Sequence, residues 1–437
     1  MHIMEFYSLV AIQVFLENIM VKMELIFILN HIIMMNGYIN INLDFSADTL
    51  IYGNNTFENI KTGLRASRFN LNIDHFNIDL PQGHGIIDIN VHNYLDHNPV
   101  VKGNIKLNFD SLNIESLFDA LSGFSSNENK SVEKSAHIIP DNFNLKLDIN
   151  AGKVIYKKFE LKDLNLSNTL ENGVFTIDVM KFGYIDGDVN LSGLFVQNND
   201  LSISGHLYSK GKRLSIEPIL SALSKNDLYD GTHGILKGFV SFDAETLFEI
   251  DSSLNLIMDQ NLFHCGILIE EGEIINNEQL EKTLSFIGHR AKEDILIDNT
   301  NIQIFLDGEN VIIEDMYMNN SISNMNVFGK YYKYDSAIDI NFKISLTDLL
   351  FRTKEKRQVN TTDGKVKLDK DLNLFIGLEG SFKQNKIKVH PKRKHKIRRE
   401  ELFEEIRDIE LKYKTRLNLL YKKAEPKVQD SGLSLNN

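Results

Sequence analysis

The chain contains no tryptophan, a single cysteine and only 6 prolines in 437 residues. A lone Cys265 rules out an intrachain disulfide and any zinc site built from several cysteines, and one thiol fits a reducing or an oxidising compartment equally well. The missing tryptophan removes the aromatic platform on which sugar-gripping β-proteins rely, which makes a carbohydrate-active role the weakest reading. Positive charge is in deficit. The 48 Lys and Arg against 60 Asp and Glu leave a formal net charge of -12, which argues against a general nucleic-acid binder, because phosphate contacts need clustered cations. Long apolar runs are lacking too. Residues 6–16 and 25–35 are apolar but separated by Glu17, Lys22 and Glu24, and neither reaches the roughly 18 to 20 residues that span a bilayer. Glu5 stands where a secretory signal would be positive, and no small-residue cleavage site follows. With methionines at 1, 4, 20 and 23, residues 1–35 read as a misplaced start, the remnant of a longer chain or a segment lying on a membrane surface.

What is present describes a folded, water-facing bulk: 42% hydrophobic and 25% charged residues. The length suits either a few ordinary domains or one repetitive sheet. From Gly37 onward the dominant signal is a period of two, which puts every second side chain on one face of a strand. Ile39, Ile41, Leu43, Phe45 and Ala47 alternate with Asn40, Asn42, Asp44, Ser46 and Asp48. The pattern recurs at Phe69, Leu71, Ile73 and slips by one residue at Phe76, Ile78, Leu80, as a turn or bulge would cause. It continues through Phe143, Leu145, Leu147, through Ile338, Ile340, Phe342, and through Leu372, Leu374, Ile376. Asn36-Gly37, Asp186-Gly187, Asp307-Gly308 and Asp363-Gly364 suit tight hairpins, so neighbouring strands are expected to pair antiparallel. Gly193, Gly205 and Gly380 read as strand-end glycines.

Helical signals are sparse. Short apolar pieces follow strands at 112–118, 214–220 and 344–350, and a longer helix is expected over Asn277 to Ala291. A second is expected from Glu400 to about Lys423, with Leu402, Ile406, Ile409, Tyr413, Leu417 and Leu420 on one face. The fold expected is therefore mainly β: an elongated, twisted antiparallel sheet, with a few short helices and a C-terminal amphipathic helix. Its divisions are an apolar segment (1–35), β repeats (36–121), a polar linker (122–140), a second β region (141–389), and a basic run with helix and tail (390–437).

A one-sided sheet of this width must cover its apolar face, because at about 25 cal/mol per Å² leaving it in water costs tens of kcal/mol. A second sheet, a helical layer or an apolar ligand could serve. Helices are too few, and on alternation alone a closed sandwich, as in a structural or adhesin-type scaffold, stands ahead of a lipid groove.

Three segments carry a family resemblance: Asn36-Gly37-Tyr38-Ile39-Asn40-Ile41, Asp186-Gly187-Asp188-Val189-Asn190-Leu191-Ser192-Gly193, and Asn324-Met325-Asn326-Val327-Phe328-Gly329. With the block from Glu271 to Leu349 they make the stretch from about Gly37 to Lys388 resemble the AsmA family of Gram-negative envelope proteins, especially its C-terminal region. The resemblance implies a groove of antiparallel strands, anchored in the inner membrane and reaching through the periplasm, where phospholipid is moved or outer-membrane assembly is regulated. The lining it implies is Ile39, Ile41, Leu43, Phe45, Phe143, Leu145, Leu147, Ile338, Ile340, Phe342, Leu372, Leu374 and Ile376. The partners it implies are a phospholipid or other envelope lipid and a membrane surface, without nucleic acid. The chain departs from the family in lacking a clean N-terminal transmembrane helix.

No catalytic constellation accompanies the pattern, and no enzyme, cofactor or metal is expected. Glu270, Glu271 and Glu273 flank a glycine without a partner base. His92 and His97 have neither helical nor zinc-motif spacing, and His84 sits between glycines. The basic run Lys392 to Arg399 could hold anionic headgroups, but pairing with Glu400, Glu401, Glu404 and Glu405 is the simpler reading.

Overall fold

The computed structural model describes residues 40–425 except 53–54, 68, 81–82, 95–98, 116–138, 158, 226–234, 254, 276–294, 322, 335, 347–371 and 382–384. Ile39, the Asn36-Gly37 and Asp363-Gly364 turns and the helix expected over 277–291 lie outside the described residues. Nineteen strands form one sheet. They are β1 (Ile41–Tyr52), β2 (Asn55–Ala66), β3 (Asn70–Leu80), β4 (Gly83–His92), β5 (Val100–Asn113), β6 (Phe143–Tyr156), β7 (Phe159–Glu171), β8 (Val174–Tyr184), β9 (Gly187–Gln197) and β10 (Ile203–Ser215). They continue as β11 (Ile235–Ile250), β12 (Leu262–Ile275), β13 (Ile295–Ile297), β14 (Thr300–Asp307), β15 (Asn310–Met318), β16 (Met325–Tyr332), β17 (Ala337–Ser345), β18 (Asn373–Ser381) and β19 (Asn385–Val389). Among the described residues two α-helices, α1 (Ile216–Lys225) and α2 (Lys392–Ala424), and a 3-10 turn at Met258–Gln260 accompany them.

Each strand pairs with its neighbour in sequence, except that β12 carries both short β13 and β14 along one edge. The pairing is antiparallel with a single exception. β5 and β6 run parallel, with Val101 opposite Phe143 and Leu112 opposite Val154. A parallel partner needs a crossover of a dozen or more residues, and the stretch 114–142 supplies it where a hairpin would have forced the opposite sense. The sheet thus runs unbroken across the polar segment at 122–140.

Register explains why the alternation holds over so long a chain. Ile41, Ala66, Leu71, Val91, Val101 and Phe143 are successive cross-strand partners. Partners share a face, so these residues form one apolar row across six strands. Phe263, Leu306, Val311, Tyr331 and Ile338 form another across β12 and β14 to β17. The slip between Ile73 and Phe76 is a bulge inside β3, where His75 adopts φ 49°. The bulge restores Phe76 and Ile78 to the apolar face, which is what the shifted phase requires. At the β8–β9 turn Ile185 adopts φ 56°, and Gly187 already begins β9. At the β14–β15 turn Gly308 takes the left-handed conformation at φ 60°.

Gly193 and Gly205 are not turn residues: they lie inside β9 and β10. The ring of Phe248 occupies the space a Cβ on Gly205 would need, and Leu207 does the same to Gly193. Gly205→Val is expected to displace Phe248 from the apolar face and cost about 1 to 3 kcal/mol, the range of overpacked cores, read as a lowered urea midpoint. An unchanged midpoint would contradict the close approach.

The two faces differ along the sheet. Over β3 to β7 the outer face is polar and laced by amides: Asn90 donates to Asn72, Asn150 to Asn108 (3.1 Å), and Asn165 to Asn150 (2.8 Å). From β9 onward the outer face turns apolar, and α2 lies across it. Leu402, Ile406, Ile409 and Leu420 of the helix pack with Leu194, Val196, Leu247, Leu262, Phe305, Ile312 and Phe328 of the sheet. Tyr413 and Leu417 join them, so the whole apolar stripe expected for this helix meets the sheet. The helix begins at Lys392, eight residues before the expected start at Glu400, because the basic run contains no glycine or proline after Pro391 to interrupt it. Its cations reach the sheet more than the helix's own glutamates. Arg398 meets Asp339 (2.9 Å) and Glu379 (2.6 Å), Arg399 meets Asp315 (2.6 Å), and only Lys396 pairs along the helix, with Glu400 (3.5 Å). In return Glu405 takes Lys330 of β16, and Lys412 reaches Asp307 (2.5 Å).

Candidate functional site

Among the described residues, the inner face of the sheet is the extended surface on which the apolar side chains of this sequence converge. All described members of the expected lining stand on it, but in three different environments. Leu145 and Leu147 are buried, with Leu64, Ile89, Val101, Ile105, Leu161 and Leu214 in a continuous cluster from β2 to β10 that Ile41 and Phe143 border. No described second layer covers these strands apart from α1, whose Ile219 packs at the cluster's edge. Burial of a single-layer face to this degree requires the sheet to curve, so that inward side chains cover one another. Ile338 and Ile376, 3% and 2% exposed, are likewise wall residues.

A second group is half-buried. Ile340, Phe342 and Leu374 belong to it, together with Ile267, Ile302, Ile304, Leu306, Ile313 and Leu378, which the expected lining did not include. These residues make the inner face of β12 to β18 an apolar strip in partial contact with solvent. Their signal was in the sequence at Ile302, Ile304, Leu306, a run with the same period of two. The third group is open: Leu43 and Phe45 on edge strand β1, the latter 55% exposed, and Leu372 at the opposite end, 76% exposed.

Cys265 lies on the same face, opposite Ala244 and Ile304. Burial, reinforced by Asp243, pushes its thiol up to about 11, so it is a packing residue with little thiolate near neutral pH. Elsewhere, the carboxylates at the β12 bulge are tied to Arg213, which meets Glu271 at 3.1 Å and Glu270 at 3.7 Å. His84 bonds Asp79 at 2.7 Å and His92 bonds Asn70 at 2.6 Å. His97 lies outside the described residues. Glu270, Glu271, His84 and His92 thus each have a local partner that accounts for them, and none of the four faces the apolar strip.

The inner face of β12 to β18 is thus apolar and partly open to solvent, while α2 covers the outer face. No family profile, curated protein or solved structure matches the chain. No helix among the described residues is long and apolar enough to cross a membrane, which leaves strands unaddressed.

Proposed function

We propose that the protein holds the acyl chains of a phospholipid or another envelope lipid against the inner face of its sheet, and acts without catalysis in lipid transport between membranes or in outer-membrane assembly. The observation that carries this reading is the half-buried strip of β12 to β18: an apolar face many strands wide whose helical cover, among the described residues, lies on the other side of the sheet. Residues such as Ile304 and Ile340 gain burial when an acyl chain lies across them, at about 0.8 kcal/mol per methylene transferred. A periplasmic site of action, associated with the inner membrane, follows from the resemblance to AsmA-like proteins.

The alternative is a structural or adhesin-type scaffold with a dry core, and the deep burial over β2 to β10 favours it there. The two part company in one assay. The chain, purified without detergent and extracted for lipid mass spectrometry, is expected to yield phospholipid and to take up a fluorescent phospholipid afterwards. Failure of both would leave the scaffold.

A further inference from the structure

Strand β19 and the first turns of α2 form a surface whose charge the fold does not use up. Between residues 386 and 399 there are eight Lys and Arg and no Asp or Glu. Sheet carboxylates meet part of this charge: Lys388, Lys394 and Arg398 converge on Glu379, and Arg398 and Arg399 reach Asp339 and Asp315. Lys386, Lys392 and Arg393 are exposed and make no ion pair among the described residues. Helix stability does not explain them. Cations in a first turn oppose the macrodipole, Pro391 offers no side-chain cap, and the first turn of α2 carries no acid.

Apolar side chains share the β19 edge with these cations, on the opposite face of the strand. Ile387 and Val389 alternate with Lys386 and Lys388 along β19, and Val389 is 58% exposed. Leu372, immediately before β18, is exposed as well. Beside them a shallow hollow of about 390 Å³ opens between Pro391, Arg393, Lys394, Ile397, Arg398 and Glu401. Cations around a hollow next to protruding aliphatic side chains match a bilayer interface, with phosphates outside and acyl chains just beneath. A nucleic acid would use the cations and leave Ile387, Val389 and Leu372 in water. The other edge strand, β1, also exposes Leu43 and Phe45 but carries Asp44 and Asp48 and no cation, so an anionic surface repels it.

We propose that the β19 end of the sheet docks onto the surface of an anionic phospholipid bilayer, with Lys386, Lys392 and Arg393 on headgroup phosphates and Ile387, Val389 and Leu372 at the interface. The inference rests on the groove reading for its purpose, since it places one mouth of the apolar strip at a membrane, but docking and lipid uptake are measured separately.

The test uses the full chain in flotation assays with phosphatidylcholine vesicles, with or without phosphatidylglycerol. Wild type is expected to bind the anionic vesicles at least about tenfold more tightly than the neutral ones, and to lose that preference near 0.5 M salt. The triple variant Lys386→Glu, Lys392→Glu, Arg393→Glu should bind them on the order of 100-fold more weakly, with an unchanged melting temperature and unchanged uptake of a fluorescent short-chain phospholipid. Equal binding by wild type and variant would overturn the proposal. So would displacement from the vesicles by a DNA duplex at equal phosphate concentration. Vesicle binding without uptake in either protein would remove the groove reading and leave docking standing.

Discussion

Ile376→Asp is expected to unfold the C-terminal half of the sheet, whereas Ile340→Asp leaves it folded and abolishes lipid uptake. The two residues share a face and differ by three dozen positions in sequence, yet their surroundings are opposite in kind. Ile376 is 2% exposed in β18, enclosed between Phe342 of β17 and Val389 of β19. A carboxylate there loses the isoleucine's packing and is itself desolvated, together costing at least about 4 kcal/mol, a large share of the 5 to 15 kcal/mol that holds a typical domain together. Ile340 is half-buried opposite Gly329 and Leu378. Its aspartate can keep contact with water, so the fold should lose only about 1 to 2 kcal/mol, while a charge now lies in the path of an acyl chain. Urea unfolding followed by circular dichroism, with phospholipid uptake on the same samples, separates the two. Equal unfolding by both variants would mean that β17 and β18 face a dry, closed core.

The same pair shows what could be read from the sequence. Period-two alternation placed both residues on one face correctly, because the period of a strand is a local property of the chain. It could not tell wall from lining, since burial on a curved sheet depends on which strands lie alongside, and that is fixed by register far away in sequence. The bulge at His75 was legible as a slip of phase, and the α2 stripe as steps of three and four. The parallel β5–β6 pair was not, because nothing local distinguishes a crossover from a long hairpin loop. Nor was the two-faced burial of β9, although Leu194, Phe195 and Val196 form a continuous apolar run of the kind a strand covered on both sides displays. The meaning of that run depended on α2, which is two hundred residues away.

Acid is expected to loosen α2 before it unfolds the rest of the molecule. His395 is buried between the rings of Phe328 and Phe375, at 4.9 and 4.8 Å, and its Nε2 has no hydrogen-bond partner. Burial, together with the positive Lys343 and Arg399, holds its pKa down at about 4 against an ordinary 6.5. An unfolded histidine therefore takes up a proton that the folded one refuses. Stability is fully present above about pH 6.5 and is lost as the pH falls through about 4, by on the order of 2 to 3 kcal/mol. Burial also lowers the pKa of His206, which faces Tyr413 and Tyr421 of the helix, and that of His390 beside Arg398, so both act in the same direction. Below about pH 4.5 a second loss begins. An unfolded glutamate takes up a proton there, whereas Glu379, held near 2 by Lys388 and then Arg398, is protonated and releases the cations at the start of the helix only as the pH approaches about 2. Urea midpoints measured at about pH 7.5, 5.5 and 4.5 should fall steeply for wild type and less for His395→Leu. Identical slopes for the two proteins would place the acid-sensitive group elsewhere.

The most direct measurement is photocrosslinking with a phospholipid that carries a diazirine in its acyl chain, mapped by peptide mass spectrometry on the folded chain. The groove account predicts adducts on the inner face of β12 to β18, at or next to Ile304, Ile340 and Leu374, and none on Phe305 or Phe328 beneath α2 or on Leu402 of the helix. Adducts spread equally over both faces, or confined to the outer face, would contradict it.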